Sequence, residues 1–132
     1  MSIFDKLLET DADLLRKKEG KRMELQRLSD LIGEPFVLEI NPLTQEQIDY
    51  IGEAKGKQND DQYLTVLESV RLEGCKLTDK RLLEKFKVHT GVDLLRQLFL
   101  PGELQSIYLM IIELTGYGKG ALKAAEEEVK KD

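Results

Sequence analysis

The sequence predicts a mainly α-helical fold with a small two-stranded antiparallel β element, an α+β single compact domain. Most apolar residues recur at helical spacing, and only two short stretches alternate between apolar and polar side chains. The 132 residues suffice for one core, and a chain without tryptophan and with only 3 prolines is untypical of an all-β sandwich. The expected organisation is an N-terminal helical segment (1–20), a core domain (21–118) and a solvated C-terminal helix or tail (119–132).

The N-terminal segment predicts two short amphipathic helices. Its apolar residues follow helical spacing until the polar stretch TDAD interrupts them. The second helix is expected to begin after Thr10 or Asp11, since either residue can act as an N-cap. The segment is acidic and lacks a continuous apolar run, so it is not expected to be a signal peptide.

The two expected strands flank one helical turn. The stretches KRMELQ, residues 21–26, and PFVLEI, residues 35–40, alternate between the two faces of a half-buried strand. Between them LSDLIG, residues 28–33, predicts a turn with Ser29 as N-cap and Gly33 at its end. Because an isolated strand pair is unstable, helices are expected to cover one face of it.

Four helices are predicted to follow the β element. Thr44 and Gln47 have the spacing of a capping box for the first. Apolar residues at helical spacing predict the second from Tyr63 to near Gly74. Thr78 and Thr90 are the expected N-caps of the other two.

The most apolar stretch, FLPGELQSIYLMIIELTGYG at residues 99–118, predicts a further helix. Pro101 is tolerated in its first turn, Glu103 complements the helix dipole there, and Gly116 suits its end. A bilayer-spanning helix takes about 20 apolar residues, so this shorter run is expected in the core. Its predicted core stripe consists of Leu104, Ile107, Tyr108, Ile111 and Leu114.

Apolar residues of this helix outside the stripe predict a surface for another protein. A helix that is apolar nearly all round is either central to its domain or carries a second face for a partner. The candidate partner contacts are Leu100, Leu109, Met110 and Ile112. Met110 is the first choice, because its flexible thioether can adapt to different partner side chains. The same surface favours a weak homo-oligomer.

No set of residues predicts catalysis, a metal site or a cofactor. His89 and Cys75 are the only residues of their types and are distant in sequence. A lone cysteine cannot form an intramolecular disulfide, which is typical of a cytosolic setting. The stretch GYGKG, residues 116–120, lacks the preceding strand and following hydroxyl residue of a phosphate loop. Two acidic pairs lack the remaining positions of a calcium loop: Asp11 with Asp13, and Asp60 with Asp61.

The charge distribution argues against general nucleic-acid binding. The net charge is −5 at pH 7, whereas such proteins carry a basic face. The basic stretch RKKEGKR, Arg16 to Arg22, could contact RNA or an acidic partner. Without interleaved aromatic residues, a solvated linker is the favoured interpretation. An acidic adaptor or nucleic-acid regulator that uses this stretch is the weakest functional alternative.

Several motifs stand in a specific order between about Glu24 and Gly118: RLSDLIGEPF, an LT that opens the next helix, LTDKRLLEKF, LFLPGEL and LTGYG. Together they resemble the XkdN-like tail assembly chaperones of phages and defective prophages. The resemblance implies a non-enzymatic protein that binds the tape measure protein, a long helical chain. It would keep that chain soluble until tail tube subunits polymerise around it.

The resemblance also implies where and with what the protein works. It is expected in the host bacterial cytoplasm and not in the mature virion. A longer frameshifted form of the same protein and the tail tube subunits are further expected partners, whereas membranes, nucleic acids and cofactors are not. The alternative is a structural tail component, such as a terminator or adaptor, that stays in the particle.

Overall fold

The computed structural model describes residues 2–16, 19–54 and 61–117, and in addition residues 122, 124 and 125. Within these residues, eight α-helices and a four-stranded antiparallel sheet are found. The helices are α1 (Ile3–Glu9), α2 (Ala12–Arg16), α3 (Gln26–Ile32), α4 (Gln45–Ala54), α5 (Asp61–Ser69), α6 (Lys80–Phe86), α7 (Gly91–Leu98) and α8 (Pro101–Ile112). The strands are β1 (Lys21–Glu24), β2 (Val37–Ile40), β3 (Val70–Leu72) and β4 (Cys75–Lys76). A wider helical turn, Glu113–Tyr117, follows α8.

The four strands pair in chain order, each antiparallel to the next. β1 pairs with β2 along its whole length, with Met23 opposite Leu38. The other edge of β2 pairs with β3, which turns back into β4 through Glu73 and Gly74. Both turn residues have positive φ angles, 50° and 82°, as a two-residue type I′ hairpin requires. β1 and β4 are therefore the two edges of the sheet.

The predicted mainly α-helical α+β fold is confirmed, and the two predicted strands are present as β1 and β2. The predicted number of strands is wrong, because the prediction omits β3 and β4. The helix predicted from Tyr63 to near Gly74 ends at Ser69, and the chain continues as a strand. Val70 is fully buried, so its apolar side chain suits a helix face and a strand face equally well. Val70 forms part of a strand because it pairs with Ile40 of β2. Such long-range pairing leaves no mark on the local periodicity.

Two predicted N-caps are also wrong. Helix α3 begins three residues before Ser29, which lies inside it. The Ser29 hydroxyl instead accepts a hydrogen bond of 2.7 Å from the backbone N–H of Phe36, which ties α3 to the start of β2. Helix α6 is capped by Asp79, one residue after Thr78, through a 2.9 Å hydrogen bond from the N–H of Arg81. The neighbouring residue therefore provides the side-chain cap of α6, whereas α3 follows Leu25 without a side-chain cap hydrogen bond.

Other local predictions are confirmed. The side chains of Thr44 and Gln47 accept hydrogen bonds from each other's backbone N–H groups, at 3.2 and 2.9 Å, and complete the capping box of α4. Thr90 caps α7 by accepting a 3.1 Å hydrogen bond from the N–H of Asp93. Gly33 ends α3 in the left-handed conformation, with φ of 87°. These signals are local, so the sequence reveals them directly.

The core lies between the sheet and the helices of the C-terminal half. Helix α5 packs against α8, α4 and α7, and α8 also lies against β2. Of the predicted stripe on α8, Leu104, Ile107 and Ile111 are buried, whereas Tyr108 and Leu114 are half-buried at its margin. Fully buried side chains include Leu38, Ile40, Val66, Val70, Leu77, Leu94, Leu95 and Ile111.

The N-terminal helices α1 and α2 lie outside this core. Ser2 and Asp5 form a capping box at the start of α1, and Thr10 is its C-cap. Asp11 begins α2, because its carboxylate accepts a 3.0 Å hydrogen bond from the N–H of Asp13. Among the described residues, neither helix contributes a side chain to the core.

The predicted C-terminal helix or tail, 119–132, falls outside the described residues except at three positions. Residues 122, 124 and 125 are exposed and belong to no helix or strand. In the described part of the chain, no single helix is long and apolar enough to span a membrane. Helix α7 and the segment Pro101–Tyr117, which is α8 with the turn that follows it, reach the required length and composition only when joined across a bend of 119°.

Truncation of Ile111 to alanine should lower the free energy of unfolding by about 2–5 kcal/mol, because it removes buried methyl groups and leaves a cavity. Ile111 is 0% exposed. Leu109→Ala in the same helix is the matched control, since that side chain is 54% exposed. Its effect should stay within about 0.5 kcal/mol. Urea denaturation measures both, and equal losses would contradict the assignment of the core face.

Candidate partner-binding surface

Helix α8 forms a ridge with an apolar groove along each side. Ile107 and Ile111 hold its inner face in the core. Leu109 therefore lies on the outer face, at a position that we call the crest, and its side chain is 54% exposed. Successive residues of a helix are about 100° apart, which places Met110 and Ile112 on opposite flanks of this crest. The ridge therefore separates two surfaces that another protein can contact.

The groove on the Ile112 side, which we call the α4–α8 groove, lies between α8 and helices α4 and α5. Its volume is about 390 Å³. Its walls include Ile48, Ile51, Thr65, Tyr108, Ile112 and Tyr117. Asp61 is the one charged residue among its described lining residues, and Tyr117 at the rim is 64% exposed. An apolar groove with few polar groups suits apolar side chains from a partner.

The groove on the Met110 side, which we call the β1–α8 groove, is smaller, about 150 Å³. It lies between α8 and the edge strand β1, and Met23 and Met110 face it from the two elements. Glu24 and Glu103 are its charged lining residues within the described chain. Two flexible thioethers allow this groove to adjust to different contacting groups.

The four predicted contact residues do not form one continuous patch. Leu109 lies on the crest, whereas Met110 and Ile112 line different grooves. Leu100 precedes α8 and is 51% exposed, but it stands about 14 Å along the helix axis from Leu109. The surface also includes residues that sequence reasoning does not assign to it, such as Tyr117. Periodicity shows which side of a helix is apolar but not which distant elements flank it.

An ion pair holds the N-terminal end of α8. The Arg27 guanidinium of α3 donates to the Glu103 carboxylate at 2.8 and 3.0 Å, and to the backbone carbonyl of Leu98 at 2.9 Å. Glu103 also accepts a 2.8 Å hydrogen bond from the N–H of Leu100. The Arg27 hydrogen bonds lower the pKa of Glu103, and their effect outweighs the opposing effect of partial burial.

A hydroxyl group holds the other end of α8. The Thr115 Oγ1 donates to the carbonyl of Ile111 at 2.7 Å and accepts from the N–H of Leu43 at 3.1 Å. Leu43 lines the α4–α8 groove and follows β2 in the chain. This contact therefore connects the end of the ridge to the wall of its larger groove.

The described residues contain no group of three His, Cys, Asp or Glu that could hold a metal ion. His89 is exposed between α6 and α7. Cys75 in β4 is a free, half-buried thiol whose sulfur accepts a hydrogen bond of 3.6 Å from Arg81. The glycine stretch 116–120 is described only as far as Tyr117.

The sequence model of the phage XkdN-like tail assembly chaperone family matches residues 4–130. The chain belongs to this family. The match includes α8, the walls of both grooves and the N-terminal helices, and the family is not a class of enzymes.

The chaperone is also similar to a solved structure, the crystal structure of the protein yqbn. The TM-score is 0.62 at 18% sequence identity, over 83% of the chaperone and 98% of that chain. Identity this low shows a shared fold alone. No curated protein matches the chaperone.

Replacing Glu103 with glutamine should lower the melting temperature of the chaperone at pH 7. Its folded-state pKa is depressed, so the pair with Arg27 stabilises the fold above the unfolded value of about 4.3. This contribution is lost as the pH falls through the folded-state pKa. The loss at pH 7 should be modest, because the Arg27 side chain is 35% exposed.

Thermal melts at pH 7 and near pH 3 measure this dependence. Glu113→Gln, an exposed position just after α8, is the control and should change little at either pH. A Glu103→Gln penalty of the same size at both pH values would contradict a stabilising role for the charge.

Proposed function

We propose that this tail assembly chaperone binds the tape measure protein and keeps it soluble until the tail tube forms around it. The observation that carries the proposal is the α8 ridge, which exposes the Leu109 side chain on its outer face and has an apolar groove on each flank. The presence of such a surface in a member of a tail assembly chaperone family supports a role in covering apolar parts of another protein.

The shape of the ridge favours a helical partner. A long helical chain such as the tape measure protein presents apolar stripes that aggregate when they are exposed. A helix-in-groove contact covers such a stripe through side chains three and four residues apart. The α4–α8 groove offers Tyr108 and Tyr117, and tyrosine is enriched among residues that contribute most to binding. The contact would be reversible, as release into the growing tail requires.

The proposed role is non-enzymatic and belongs to assembly. The chaperone would act in the host bacterial cytoplasm and leave before the virion is complete. A longer frameshifted form of the chain and the tail tube subunits are proposed as further partners at that stage. No step in this role requires a cofactor.

Leu109→Asp should abolish tape-measure binding and spare folding, because its side chain lies on the solvent side of α8. Met110 is a less specific test, since it is partly buried against the core and a charge there would also cost stability. Co-expression with the tape measure protein, followed by measurement of the soluble fraction, is the assay. Tyr117→Asp should also reduce the soluble fraction of the tape measure protein if the α4–α8 groove takes part in binding.

Leu31→Asp is the matched control for this experiment, because Leu31 lies on α3 and is 72% exposed. This variant should keep the tape measure protein soluble. Circular dichroism melts establish that each variant folds. A Leu109→Asp variant that melts like the parent and still keeps its partner soluble would exclude the ridge as the binding surface.

Mass spectrometry of purified tails should not detect the chaperone, because it acts before the particle is complete. A structural tail component would instead be present at a fixed copy number. The tail tube protein in the same sample is the internal control for recovery. A fixed stoichiometric amount of this chain in finished tails would favour the structural alternative.

A further inference from the structure

Strand β1 forms an edge of the sheet that is open to a further strand. Among the described residues, β2 is the only strand that pairs with it, and all four residues of Lys21–Glu24 are exposed. The opposite edge, β4, has only two residues. An exposed edge strand presents a row of backbone N–H and carbonyl groups to which another strand can bond.

The hydrogen bonds to β2 show which backbone groups of β1 point outward. The N–H of Leu25 donates to the carbonyl of Phe36 at 3.0 Å, and these two residues continue the β1–β2 register. In an antiparallel pair, residues that bond to the neighbouring strand alternate with residues that do not. Met23 therefore directs its backbone groups toward β2, whereas Arg22 and Glu24 direct theirs away from the sheet.

We propose that β1 pairs antiparallel with β1 of a second copy of this chain, across a two-fold axis at Met23. The two four-stranded sheets then join into one continuous sheet. Arg22 of each copy lies opposite Glu24 of the other, and these two residues exchange backbone hydrogen bonds. The interface is separate from the α8 crest and does not depend on binding of the tape measure protein.

The charges of β1 select this register. A two-fold axis perpendicular to a sheet keeps each side chain on its own face, so the axis passes through a residue and sets that residue opposite its own copy. Met23 is the only uncharged residue of β1, and an axis at any other position would oppose two like charges, which is destabilising. The axis at Met23 instead places an arginine opposite a glutamate on each side of it.

Both faces of the joined sheet suit this arrangement. Arg22 lies opposite Glu39 of β2, so in the dimer it stands between two carboxylates. Glu24 lies opposite the apolar Val37 in its own copy and gains the second copy's Arg22 on its other side. Met23, on the face toward α8, is 41% exposed and contacts its counterpart across the axis.

The expected dimer is weak. Charged residues on an edge strand ordinarily discourage pairing, but here their signs make the edge complementary to itself. The pairing segment is only four residues long, so the interface is smaller than a standard specific interface. The dimer should therefore form at high protein concentration and dissociate on dilution.

Analytical ultracentrifugation of the full chain over a range of concentrations tests the register. Arg22→Glu and Glu24→Arg should each raise the dissociation constant of the dimer by about tenfold or more, because two attractive pairs become two repulsive pairs. The double variant should regain association, since it opposes unlike charges again. An equimolar mixture of the two single variants should likewise associate more tightly than either variant alone.

Lys76→Glu is the matched control, because it changes the charge by the same amount as Arg22→Glu at an exposed position on the other edge of the sheet. This variant should associate like the parent. Circular dichroism melts establish that each variant folds. A parent that stays monomeric, or a mixture no tighter than the separate variants, would overturn the proposal.

Hydrogen exchange of the backbone amides of the parent locates the interface without a substitution. At high concentration the N–H groups of Arg22 and Glu24 should exchange more slowly than at low concentration, because each gains an acceptor in the second copy. The N–H of Met23 points toward β2 and should change less. Association without added protection at Arg22 and Glu24 would place the interface elsewhere and overturn the proposal.

Discussion

Helix α8 is held at both ends, and both grooves depend on that position. The Arg27–Glu103 pair connects its start to α3 and, through the Leu98 carbonyl, to the end of α7. Thr115 connects its end to the segment after β2. Between these contacts, apolar packing against α5 and β2 fixes the rotation of the helix about its own axis. The same packing therefore determines which residues are left on the outside.

One helix thus combines core packing with an exposed apolar side chain between two apolar grooves. On its inner face Ile111 is fully buried, whereas the side chain of Leu109, two residues earlier, is largely exposed to solvent. Because the two faces are distinct, substitutions on the crest can change an interaction without opening the core. On the flanks of α8 a substitution would affect both the groove and the core, since Met110 lines a groove and also packs against the core.

Sequence reasoning succeeds where the determinants are local. The starts of α4, α7 and α8 follow from Thr44, Thr90 and Pro101, whose effects act within one turn of the helix. The β3–β4 hairpin could not be found in this way, because Val70 belongs to a strand only through its pairing with a distant one. The groove walls could not be predicted for the same reason. Ile48 and Ile112 line the same groove although they are far apart along the chain.

The turn after α8 has a consequence for any sequence attached beyond it. Gly116 adopts a left-handed φ of 108°, and the next residue, Tyr117, lies at the rim of the α4–α8 groove. Under the proposed function, the segment that follows Tyr117 therefore begins at the rim of the groove that would hold the partner helix. Tethering raises the effective concentration of the attached part near the bound chain, without any new contact in the groove. A module attached to the chain could thus be brought to a bound partner without any change in the residues that line the groove.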